Sequence, residues 1–179
     1  MWEWCDKLKL GKASPFTKRD IRALPQTDAE FEADFFLDSG VSTEGEEAWT
    51  GAVIEREHGA LLALEDVRCP PPTVNYLASL LDHAMCRPPS YEDRQRPRTI
   101  YLRDRPQWQE LLPHLRQLGI EVVLSEDLPR FDEAVIEWMR ETKKPPSADK
   151  IKAMLRKPFP QRKRSSFSSS TSRASARNV

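Results

Sequence analysis

FEADFFLD, residues 31–38, alternates without a break: Phe31, Ala33, Phe35 and Leu37 fall on one face, Glu32, Asp34, Phe36 and Asp38 on the other. A period of two is the mark of a β-strand, here with one face rich in carboxylates. Residues 39–47 then place Gly40 and Gly45 among polar side chains, a loop. Two more apolar runs, residues 49–57 and 60–68, are joined by His58-Gly59, where glycine supplies the positive φ that a tight hairpin needs. Three antiparallel strands in a row are predicted.

Pro70, Pro71 and Pro72 end that run, Thr73 is placed to cap a helix, and Val74, Leu77, Leu81, Ala84 and Met85 recur at helical spacing. After a proline-rich, charged connection over residues 87–98, TIYLR (99–103) makes a short strand with Asp104 at its end. Trp108, Leu111, Leu112, Leu115 and Leu118 form the stripe of a helix closed by Gly119. IEVVL (120–124) is the next strand, and Pro129 opens a last helix with Phe131, Val135, Ile136 and Met139. Strand, helix, strand implies a parallel pair with a right-handed crossover. The chain is therefore expected to be α/β: three antiparallel strands, helix, strand, helix, strand, helix, over residues 28–140.

Residues 1–27 carry Trp2, Trp4, Phe16 and Ile21 among charges, with Thr17 before a short helix that ends ahead of Pro25, an arm packing back on the domain. Residues 141–157 read as a linker and short helix, with Ser147 as cap and Ile151, Met154 and Leu155 as its apolar side. Residues 158–179 are basic, serine-rich and nearly without apolar side chains, a composition expected to be disordered alone. No internal repeat is evident.

The formal net charge of zero conceals a division. From Arg140 onward twelve basic residues stand against two acidic ones, an excess of ten positive charges, so the body before it carries ten negative ones. No apolar run approaches the ~20 residues needed to span a bilayer, and Asp6, Lys7 and Lys9 stand where a secretory signal would be apolar. A cytoplasmic protein without a membrane partner is expected. Cys5, Cys69 and Cys86 are odd in number and widely spaced, which fits reduced thiols better than a disulfide framework or zinc site. His83 and His114 adjoin apolar stripes and read as partly buried, uncharged structural groups; Trp49, Trp108 and Trp138 read as core or sheet-covering residues. Ser39 has no His and acid partners at motif spacing, and no glycine-rich phosphate loop is present.

The order of elements over residues 31–139 resembles the ribonuclease H-like fold. On that resemblance Asp38, in Asp38-Ser39-Gly40 at the end of the first strand, matches the first catalytic aspartate, Asp104 the second, and Asp132 the carboxylate of the last helix. The implied chemistry is phosphodiester hydrolysis by two Mg²⁺ or Mn²⁺ ions about 4 Å apart. Where the family has a glutamate on the first helix, this chain has Asn75, Tyr76 and, further on, Asp82; Asp34 or Asp82 would have to serve as fourth carboxylate. Residues 30–139 also resemble an uncharacterised family of bacterial domains of unknown function, through Arg103-Asp104, Leu118-Gly119-Ile120, Leu128-Pro129 and Phe131-Asp132-Glu133-Ala134.

Each aspartate has an ordinary structural role as well. Asp104 precedes a helix and is placed to cap it; Asp132 lies in a first helical turn, where acid is favoured; Asp-Ser-Gly is a common turn sequence. The leading expectation is thus a non-catalytic or degenerate ribonuclease H-like binding module that needs no cofactor. Its basic tail, with Arg156, Lys157, Arg162, Lys163 and Arg164, would attract nucleic acid or an acidic protein, or fold back on the acidic body. The alternatives are a metal-dependent nuclease using Asp38, Asp104 and Asp132, and a protein-interaction domain.

Overall fold

The computed structural model describes residues 7–10, 14, 16–38, 48–68, 71–89, 92–140 and 148–156. Five strands, β1 (Glu30–Asp38), β2 (Ala48–Glu55), β3 (Leu61–Arg68), β4 (Thr99–Arg103) and β5 (Glu121–Ser125), form one mixed sheet ordered β3-β2-β1-β4-β5. β2 pairs antiparallel with both β1 and β3, while β4 pairs with β1, and β5 with β4, in parallel. The α/β class and the order of elements are those read from the sequence. β1 is therefore the middle strand, where each alternate residue meets a covered face.

One face is apolar throughout. Phe31, Ala33 and Phe35 of β1, Trp49 and Val53 of β2, and Ile100 and Leu102 of β4 pack under three helices, α1 (Lys18–Ala23), α2 (Val74–Cys86) and α3 (Leu112–Arg116). Phe16 and Ile21, from the segment read as an arm, are buried there and belong to this core. Gly51, opposite Phe35, carries the Phe35 ring where a β-carbon would stand: an added methyl would lie under 3.0 Å from three ring atoms. The other face is covered by α4 (Pro129–Arg140) and α5 (Ala148–Leu155), whose Phe131, Val135, Met139, Ile151 and Leu155 pack on Phe36, Ala52 and Ile54. Glu32 and Asp34 share that face and are fully buried.

Several local expectations differ from the structure. The stretch predicted as one helix from Trp108 to Leu118 is a 3₁₀ turn (Pro106–Trp108) and then the short α3. Pro113 explains the break, since it has no N–H to give and fits only a first turn. Gly119 does end the segment, at φ 75°. Thr17 and Thr73 occupy the N-cap positions of α1 and α2, but neither makes a side-chain capping bond. Asp104 is not the cap either: Arg105 holds that position before the 3₁₀ turn. Trp49 and Trp108 are core, whereas Trp138 is 41% exposed and meets Phe36 edge-on at 6.4 Å. His83 is exposed rather than partly buried. His114 is half-buried, and burial with nearby Lys18 lowers its pKa, so it is uncharged at neutral pH. Cys86 is a buried free thiol. The expectations for Trp2, Trp4, Cys5, Gly40, Gly45, Cys69, Ser147 and residues 158–179 lie outside the described residues. No helix among the described residues is long and apolar enough to cross a membrane.

Candidate functional site

The centre of the second face is ionic. Asp34, in the middle of β1, receives Nε of Arg103 at 2.9 Å on Oδ2, Nε of Arg105 at 2.9 Å on Oδ1, and a second Arg105 nitrogen at 2.8 Å on Oδ2. Arg103 also donates to Asp132 of α4 at 2.5 Å and to the Glu126 carbonyl. Arg105 reaches the carbonyls of Phe35 and Leu155, at 3.4 and 3.2 Å. Two guanidinium groups and two carboxylates thus balance in charge, with Arg103 and Arg105 at 2% and 5% exposure. Charge-assisted bonds of this geometry are the strong kind, and Arg supplies two directed donors per carboxylate.

Strand geometry explains the assembly. Residues 103 and 105 are two apart, so they fall on one side of the chain as it leaves β4, beside Asp34 on the adjacent β1. Asp104 falls between them and is exposed. The same alternation buries Glu32, whose Oε2 accepts the Phe131 N–H at 2.9 Å and whose Oε1 lies 3.2 Å from Nε of Arg56. Arg56 in turn lies over the Tyr101 ring at 4.0 Å and pairs with Glu30 at 3.1 Å. Burial pushes the Glu32 carboxyl above its usual range against the Phe131 N–H and Arg56, and pushes Asp132 up despite Arg103.

Of the candidates from the sequence, Asp132 is in this cluster and Asp104 is exposed beside it. Asp38 ends β1 opposite Ala48, and its side chain lies outside the described residues. Asp82 is on α2, across the sheet, where it takes the Thr17 N–H at 3.3 Å and pairs with Arg87 at 3.5 Å. It is therefore not available as a fourth carboxylate to Asp34 and Asp132. Arg156 is ion-paired with Asp127 at 2.7 Å, and Lys157, Arg162, Lys163 and Arg164 lie outside the described residues. The residues that sequence reasoning passed over are Arg103 and Arg105. Their signal was an Arg-x-Arg at the end of a strand adjacent to a strand with a buried-face aspartate.

Two surface features flank the cluster. Between α4 and the β2–β3 hairpin lies an apolar groove of ≈ 210 Å³, lined by Phe36, Ile54, Leu61, Phe131 and Trp138. At the hairpin end of the sheet is a polar cleft of ≈ 700 Å³ with Asp28, Glu30, Glu55, Glu57 and Glu92 in its walls. Glu55, Glu57 and His58 are close enough there to share a cation, but Glu55 already accepts the N–H groups of Glu57 and His58 at 2.9 and 2.6 Å, the work of a turn.

A family model described as a domain of unknown function, DUF6930, matches residues 17–139. The chain belongs to the DUF6930 family. No match is found among curated proteins. The DUF6930 match takes in α1 to α4 and all five strands, hence Asp34, Arg103, Arg105 and Asp132, and stops before α5. The Leu155 carbonyl held by Arg105 thus belongs to an extension beyond the DUF6930 match, docked onto it through the same ionic cluster.

Proposed function

We propose that this DUF6930 chain is a non-catalytic binding module on a ribonuclease H-like scaffold, drawn to nucleic acid by its basic tail. The observation that carries the reading is the state of Asp34, whose two oxygens are both taken by guanidinium N–H groups. Two-metal hydrolysis needs carboxylate oxygens free to hold ions. A cation here would have to displace Arg103 from Asp34 and Asp132 together, leaving a buried guanidinium without its carboxylates. The mixed sheet with a carboxylate on its middle strand supports the scaffold assignment, and the ten-charge excess from Arg140 onward supports the polyanion.

Calorimetric titration of Mn²⁺ into the full chain, with Asp104→Asn as control, tests the first half. No binding is expected; binding that the substitution abolishes would return the aspartates to a nuclease. Fluorescence anisotropy with labelled duplex DNA and RNA tests the second half. Each phosphate neutralised contributes about −0.9 to the slope of log K against log salt on duplex DNA, so replacing Arg156, Lys157, Arg162, Lys163 and Arg164 by Ala should flatten the slope by up to about 4.5. An unchanged affinity and slope would refute the tail's role. The protein-interaction reading is favoured by one observation, the apolar groove with half-exposed Trp138 at its edge.

A further inference from the structure

The groove between α4 and the β2–β3 hairpin has the size of a side chain rather than of a metabolite. Small-molecule pockets run to roughly 300–1,000 Å³, against ≈ 210 Å³ here. α4 packs on β1 and β2, and on the neighbouring β3 Leu64, paired with groove residue Ala52, is 37% exposed. Leu64 and Trp138 are two of the three exposed large apolar side chains among the described residues. The rim carries one carboxylate, Glu137, which stands in the lining; Glu133, one turn before it, is paired with Arg130 at 3.2 Å.

We infer that this groove is the docking site of the chain's own segment 158–167, with Phe159 or Phe167 seated against Trp138 and Arg162-Lys163-Arg164 at the Glu137 carboxylate. Three observations choose this occupant. Phe159 and Phe167 are the only aromatic residues after Arg156, and they bracket the densest basic run of the chain, an apolar and cationic pattern that matches an apolar groove with a carboxylate on its rim. The segment starts from a fixed point on the same face, since Arg105 holds the Leu155 carbonyl and Asp127, just ahead of α4, holds Arg156. And it reaches. Phe167 lies eleven residues beyond Arg156, about 36 Å when extended, whereas a domain of this size has a radius of gyration of only about 14 Å. A tether that short gives an effective concentration of order millimolar, so a single aromatic anchor with a few charge contacts suffices. The inference is independent of nucleic-acid binding by the tail, although a docked segment would compete with it.

The test uses the full chain labelled with 5-fluorotryptophan, the Trp138 resonance being assigned by its loss in Trp138→Phe. Replacing Phe159 and Phe167 together by Ala should shift that resonance and leave the buried Trp49 and Trp108 signals in place. A synthetic peptide of residues 157–170 added to this variant should restore the original position in a saturable way. An unmoved Trp138 resonance in the double variant, or no response to the peptide, would overturn the proposal. So would a Trp138 position that depends on protein concentration in the unsubstituted chain, because the groove would then be filled by a second copy. A Trp138 resonance that shifts and is restored as expected, in a full chain that binds neither DNA nor RNA, would count against the nucleic-acid reading alone, which keeps the two ideas separable.

Discussion

Removing Asp34 should be the most damaging single change in this protein, and its size follows from the geometry. Asp34→Ala deletes the acceptor of three charged N–H groups while leaving both arginines 5% exposed or less. Arg103 retains Asp132 and the Glu126 carbonyl, and Arg105 retains the neutral carbonyls of Phe35 and Leu155. The cluster passes from neutral to one net positive charge inside a packed face. Breaking a buried ion pair from one side costs about 3–5 kcal/mol, a large share of the ~5–15 kcal/mol that holds a domain together. With an unfolding entropy of ~2.1 cal/mol/K per residue over the matched region, each kcal/mol corresponds to about 4 °C, so the melting temperature should fall by roughly 12–20 °C. The assay is urea and thermal unfolding of the full chain followed by circular dichroism. The combined replacement Asp34→Leu, Arg103→Met and Arg105→Met should cost less than Asp34→Ala, because it removes the charges together. A loss below ~1 kcal/mol for Asp34→Ala, or a larger loss for the combined variant, would refute the view that the arginines depend on this carboxylate.

Gly51→Ala should destabilise by about 1–3 kcal/mol, the cost of overpacking, because the new methyl enters the Phe35 ring; adding Phe35→Leu should recover part of the loss in the same unfolding assay. Glu32 binds a proton more tightly when folded, so its contribution to stability is full below its usual pKa of 4.5 and is lost as pH rises through the higher folded value. Glu32→Gln should therefore flatten the decline in urea midpoint from pH 4.5 upward, and parallel profiles for variant and parent would contradict this. Cys86 is buried and its thiol is pushed up to about 11 by burial and Asp82; mass-resolved labelling with a disulfide reagent at pH 8 should leave it unmodified until the chain is unfolded.

The legible part of this fold is the part set by periodicity and turn chemistry. FEADFFLD alternates, His58-Gly59 turns with φ 73° at the glycine, and Gly119 stops a helical segment with φ 75°, all of which local sterics dictate. What alternation does not report is how much of a polar face will be covered. Glu32 and Asp34 read as the carboxylate-rich side of a strand, yet both are buried, because α4 and α5 arrive from a hundred residues further along. The candidate site failed to show itself for a related reason. Reading for metal chemistry draws attention to acids, and so to Asp104, whereas the residues that organise the site are the arginines on either side of it. Proline was the other source of error: the apolar stripe from Trp108 to Leu118 has helical spacing, but Pro113 divides it.

The arginine cluster also bears on what metal binding at Asp34 would demand of the structure. Arg103 joins β4 to β1 through Asp34 and to α4 through Asp132, and Arg105 joins the same aspartate to the end of α5. One carboxylate thereby holds together the sheet and both helices of the second layer. A metal ion could replace the charge on these carboxylates, but it has no counterpart to the bonds that the guanidinium groups make to the Glu126, Phe35 and Leu155 carbonyls. Those bonds use the several donors of a planar guanidinium, which a cation, itself an acceptor of lone pairs, would satisfy only by moving the carbonyls inward. Metal chemistry at this position therefore requires that the second layer be rebuilt, not that one residue be exchanged. The same cluster anchors the end of α5, because Arg105 holds the Leu155 carbonyl while bonded to Asp34, on the face that carries the apolar groove.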